Sequence, residues 1–145
     1  MYVADAHALA WYFTNDARLG SNASRVFDRS EKGECLILIP TVVLAELFHI
    51  SRKRRITLRF EELLEKVERG SNFVVTDLDL ATIKVLPQTL PLTELHDQII
   101  VATALIHEAK VLTKNGPIVI VALLRRSGEL PQFHSVTKSA TVFQR

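Results

Sequence analysis

Short apolar runs alternate along this chain with longer segments whose apolar residues recur every three or four positions. Residues 2–4, 36–39, 72–75 and 111–113 form the short runs. Their continuous apolar character, clearest in Leu36-Ile37-Leu38-Ile39, predicts strands buried on both faces. The segments between them carry helical spacing. A helix is expected after Asp5 through Leu9-Ala10-Trp11-Tyr12-Phe13. A second, capped by Ser21 or Asn22, should end near Lys32 with Gly33 just beyond it. Pro40-Thr41 closes the second strand and opens a third helix to about Arg54, with proline suited to the first turn. A fourth covers 60–69 and stops at Gly70; a fifth, capped by Asp77 or Asp79, reaches Val85; 87–91 reads as a loop. The last helix starts near Glu94 and gives way at Glu108-Ala109 to the strand at 111–113. Beyond Pro117 the pattern blurs: 118–124 suits a helix or a last strand, and 133–143 a strand or a loose tail.

Strands separated by helices point to a three-layer α/β/α sandwich around a mainly parallel sheet. At 145 residues the chain is expected to be a single domain over 1–145. Its 48% hydrophobic and 23% charged content suits a globular protein, and a net charge of +2 does not by itself announce nucleic acid. Cys35 stands alone, which rules out an intrachain disulfide and suits a reducing compartment. Asp5 and His7 interrupt the start, no signal peptide is visible, and no apolar run approaches the roughly 20 residues of a membrane span. A cytoplasmic protein without a membrane is expected.

Three acids sit where apolar residues would be the rule. Asp97 precedes Ile100, Val101, Ala104 and Leu105 by three, four, seven and eight places, in line with an apolar helical stripe. Glu46 has Val42, Val43, His49 and Ile50 as its helical neighbours, and Asp5 ends the first strand. Any one of them is explained as a helix cap or a paired core acid. In a parallel sheet, however, strand ends and helix starts converge on one edge, where ligands bind. Clustered carboxylates repel and raise one another's pKa, which a divalent cation relieves. Oxygen ligands without cysteine favour Mg²⁺ or Mn²⁺, since His7, His49, His96, His107 and His134 lack zinc-type spacing. Such a site suits phosphodiester hydrolysis, one ion activating water and a second, about 3.5–4 Å away, stabilising the leaving oxygen.

Asp5 after the first strand, Glu46 in VVLAEL, Asp97 in LHDQIIVATAL and the following VLTKN together resemble a PIN domain of the VapC-type toxin-nuclease group. The likeness runs from Met1 to about Ile118, and 95–118 is its most specific part. It implies a PIN-like α/β/α sandwich, a Mg²⁺- or Mn²⁺-dependent endoribonuclease acting on RNA, a homodimer, and a cognate antitoxin protein whose tail occupies the active site. Carried over by position, Asp5, Glu46 and Asp97 match the acidic metal ligands, and Thr113 the substrate-positioning hydroxyl two residues before the last acid. At that last position this chain has Asn115, an amide that can offer a carbonyl oxygen but no charge. Asn115 is therefore carried as a catalytic position with weakened metal binding. The alternative is an impaired PIN-like domain that binds RNA or an antitoxin without cleaving. Asn115-Gly116 is also simply a good turn pair.

Secondary features are weighed against plainer roles. Arg52, Lys53, Arg54 and Arg55 could contact RNA phosphates, but equally complement a helix C-terminus. Trp11, Tyr12 and Phe13 could stack on bases, though a core or dimer interface is the commoner use. His7 and His96 flank two of the acids and could position substrate. A receiver-like phosphorylation domain, suggested by Thr113-Lys114, lacks support because Asp5 stands without an acidic neighbour and the strand at 36–39 ends in Pro40.

Overall fold

A computed structural model describes residues 1–53, 57–90, 92–114 and 116–118, without the side chains of Pro117 and Ile118. Four strands, β1 (Tyr2–Ala4), β2 (Ile37–Pro40), β3 (Phe73–Thr76) and β4 (Lys110–Thr113), run parallel, and β5 (Gly116–Ile118) returns antiparallel to β4. The sheet order is β3-β2-β1-β4-β5. Residues of β1 and β2 are buried throughout. Because strand side chains alternate between faces, unbroken burial means that both faces are covered, as a sandwich of helices around the sheet requires. At the edge of the sheet formed by the described strands, β3 exposes Val74 and Val75.

Six α-helices supply that cover among the described residues: α1 (Ala6–Phe13), α2 (Ser21–Glu31), α3 (Thr41–Arg52), α4 (Phe60–Arg69), α5 (Leu80–Val85) and α6 (Leu95–Ile106). Phe27, Leu9, Ile37, Ile39, Leu47, Ile100 and Leu112 are fully buried at the centre. Fully burying one such side chain contributes roughly 1.5–3 kcal/mol, so the central strands and the inner faces of α1, α3 and α6 hold the sheet edge firmly.

Several sequence expectations are corrected. Gly20, not Ser21 or Asn22, is the N-cap of α2, with no side-chain cap bond; Gly33 does follow the helix with φ of +78°. Pro40 belongs to β2, pairing with Thr76, and precedes α3 in extended geometry rather than opening its first turn. Its fixed φ suits a strand end as well as a helix start. Asp79, not Asp77, caps α5, and the expected loop at 87–91 begins as a 3-10 turn over Leu86–Thr89. Gly116 has φ of +121°, and a Cβ there would meet Asn22 Cβ at 2.9 Å. The turn into β5 therefore needs glycine. The expectations for 119–145 lie outside the described residues.

Candidate metal and nucleic-acid site

All four parallel strands end on the same side of the sheet, so their following segments meet there. Asp5 is fixed by two local features. Its backbone N–H donates to Leu112 O at 3.0 Å, the extension of the β1–β4 ladder. Its side chain caps α1, accepting from Ala8 N at 2.6 Å. Thr113 ends β4 beside it, 1% exposed, with Oγ1 donating to Gly116 O at 3.2 Å. Asp97 lies in the first turn of α6 and is half-buried. Glu46 is the sixth residue of α3, half-buried and one turn deeper than the helix start. Helix α3 packs on both α1 and α6, which brings the three acids into one electrostatic neighbourhood.

The electrostatics follow from that placement. Burial pushes the Asp5 carboxyl from an ordinary 3.8 to about 7, although the Ala8 N–H bond pulls it down. The Glu46 charge adds to the rise, while the Lys114 ammonium offsets part of it. Asp97 also rises from 3.8 to about 7, first through burial, then through the charges of Glu46, Asp5 and Glu94. Asp5 and Asp97 thus each resist ionisation in the folded chain, and Glu46 is a shared cause.

Whether this arrangement suits a divalent cation depends on charge and on reach. In charge and donor chemistry it does: hard carboxylate oxygens, repelling one another, with no ion pair to Asp5, Glu46 or Asp97 among the described residues. In reach the acids are apart. Among the described residues no group of three His, Cys, Asp or Glu side chains is gathered closely enough to hold an ion as placed.

The other sequence candidates separate clearly. Asn115, Arg54 and Arg55 lie outside the described residues. Arg52 and Lys53 are exposed at the far end of α3, Arg52 over the Phe48 ring at 5.8 Å. Six residues at about 1.5 Å each put Arg52 about 9 Å beyond Glu46 along the helix axis, away from the acids. His96 is exposed, while His7 packs edge-on to Trp11 at 5.9 Å between ring centroids. Tyr12 stacks on Phe27 at 4.1 Å and Phe13 meets Phe73 at 5.7 Å. Both rings line a cavity of about 960 Å³ that Asp28, Glu31, Lys66 and Arg69 also line. Their aromatic faces are thus spent largely on one another. Lys114 is the group at the acid edge that the sequence reading did not place in the site. Its position immediately after Thr113, at the end of a strand beside β1, was the available signal.

A largely parallel α/β sandwich with Asp5 at the end of β1, and Glu46 and Asp97 on helices packed near it, defines the class: an α/β fold whose candidate site lies at the carboxyl edge of its sheet. The PIN domain family model matches residues 2–122, and the chain belongs to the PIN-domain family. PIN domains are generally metal-dependent nucleases that act on RNA or DNA. No curated protein matches the chain. Among the described residues no helix is long and apolar enough to cross a membrane.

Proposed function

We propose that this protein is a Mg²⁺- or Mn²⁺-dependent endoribonuclease, the toxin of a VapC-type toxin–antitoxin pair, working as a homodimer restrained by its antitoxin. The observation that carries the reading is the joint elevation of Asp5 and Asp97, each raised first by burial and then by the Glu46 charge, with Asp5 adding to the rise of Asp97. Carboxylates held in repulsion at a sheet edge gain most from a divalent cation. Asp5, Glu46 and Asp97 would hold it, Thr113 would position substrate, and Asn115 would add a neutral oxygen. Bound there, a cation would supply neutralisation of the acids and polarisation of the phosphodiester. The chain's own part is to keep Asp5 rigid through the Ala8 cap and the β1–β4 ladder, and to orient an attacking water through Asp5 or Asp97. A polyanion can approach three carboxylates only after their charge is met, so substrate and cation should bind together.

One feature favours a second reading. Asn115 brings no charge where the family resemblance places an acid, and a domain with that loss would bind RNA or antitoxin without cutting. Mn²⁺-dependent cleavage of a mixed RNA pool decides between them, with Asp5→Ala controlling for contamination. The nuclease reading expects the natural chain to cut, Asp5→Ala to lose more than about a hundredfold, since even an outer partner of a metal site costs 10–100-fold, and Asn115→Asp to cut faster. Cleavage by Asn115→Asp alone supports the binding-only reading. Equal cleavage by the natural chain and Asp5→Ala removes the acid-site assignment.

A further inference from the structure

Lys114 is the first residue past β4, and its main chain is pinned: its carbonyl accepts from Gly20 N at 2.8 Å. Its half-buried side chain carries Nζ to 5.9 Å from the Trp11 ring centroid. Trp11 is 7% exposed, and its indole Nε1 has no hydrogen-bond partner among the described residues. The same ring is approached by the Arg18 guanidinium at 5.1 Å. The two cations differ in one decisive respect. Arg18 spends its charge on Asp16, through bonds of 2.9 and 2.6 Å. Lys114 makes no ion pair among the described residues, although it lies near enough to Asp5 for its charge to be felt there. A structural counter-ion would close on its acid; this ammonium is held over an aromatic face instead. Cation–π contact restricts a flexible stem while leaving the donors of the ammonium unspent.

We propose that Lys114, steadied over Trp11, is the contact for a backbone phosphate of the nucleic acid beside the acid edge. The inference rests on the nuclease reading above. It answers a difficulty in that reading, because three carboxylates repel a polyanion and a compact ammonium among them gives one phosphate a place to settle.

The test is binding rather than turnover. Fluorescence anisotropy would follow a labelled single-stranded RNA, and a DNA of the same sequence, with Ca²⁺ present in place of Mg²⁺ or Mn²⁺ to meet the charge of the acids, at about 50 to about 200 mM salt. Lys114→Gln should weaken both probes about three- to tenfold and reduce the slope of log affinity against log salt by about 0.7, one phosphate contact on a single strand. Lys114→Arg, which keeps the charge, should retain the slope, and it also serves if the glutamine variant fails to fold. An unchanged affinity and slope in folded Lys114→Gln, with the natural chain binding normally, overturns this inference alone. Loss confined to RNA also overturns it, since a phosphate contact does not sense the 2′-hydroxyl. If the natural chain binds neither probe, the nucleic-acid reading falls and takes this one with it.

Discussion

Two helices in this protein begin in the same way and end up with opposite chemistry. Asp5 caps α1 and Asp79 caps α5, each accepting from the backbone N–H three residues on. Asp79 also accepts from Thr82 Oγ1 at 2.8 Å, and these bonds hold its carboxyl below the usual range. Asp5 makes the same backbone bond, yet it rises to about 7. The cap alone therefore lowers a carboxyl; burial reverses it, and the Glu46 charge pushes further. At α5 the carboxylate is a stabilising end-piece. At α1 the same motif has been placed where ionisation is costly, which marks Asp5 as a candidate functional group.

The largest break in this comparison is in pH dependence. Asp5 and Asp97 titrate near 7 in the folded chain against an ordinary 3.8, so between those values the folded state holds more protons than the unfolded one. Their contribution to stability is full below about 3.8 and is lost as pH rises through about 7. Metal-free protein should therefore melt at a lower temperature at pH 8 than at pH 5, and Asp97→Asn should flatten the fall. Mn²⁺ should restore the melting temperature mainly at the higher pH, because it competes with protons for the same oxygens. Thermal melting followed by circular dichroism across this range, with and without Mn²⁺, checks both statements. Asp16 and Asp79 are lowered instead, so their contributions are lost only as pH falls below the ordinary range and leave this window clear.

A smaller effect sharpens the contrast from the other side. Asp79→Ala should lower the melting temperature by about 2–4 °C, as the loss of one exposed helix cap does, and leave RNA cleavage and Mn²⁺ binding unchanged. Calorimetry for the first and the cleavage assay for the second separate a cap from a ligand. If Asp79→Ala depressed cleavage as Asp5→Ala is expected to, the distinction drawn between the two caps would be wrong.

Much of this contrast could be read before any coordinates. The short apolar runs and the period-3.6 patterns located β1, α4, α6 and β4 closely, and the expected layout of a mainly parallel sheet followed from their alternation. What the pattern could not resolve was set by tertiary context. Pro40 fits either a strand end or a helix start, and only its pairing with Thr76 places it in β2. Asp77 and Asp79 are equivalent as caps in sequence, and the bond to Thr82 N selects Asp79. Asp5, Glu46 and Asp97 stood out because charge sat amid apolar neighbours, a local signal. Lys114 did not, since a lysine after a strand is ordinary until the Trp11 ring and the Asp5 carboxylate are seen beside it. The basic run was more conspicuous in sequence than Lys114, but Arg52 and Lys53 sit at the far end of α3.

The central claim is that Asp5, Glu46 and Asp97 jointly hold a divalent cation. Titration calorimetry of Mn²⁺ into the metal-free protein at pH 6, repeated in buffers of different ionisation enthalpy, tests it most directly. With two carboxyls near 7, binding should release protons at pH 6, so the heat should vary with the buffer; above pH 8 that variation should vanish. Asp5→Ala and Glu46→Gln should each weaken binding at least about tenfold. Absent Mn²⁺ binding, equal affinity in the variants, or heat independent of buffer at pH 6 would contradict the account.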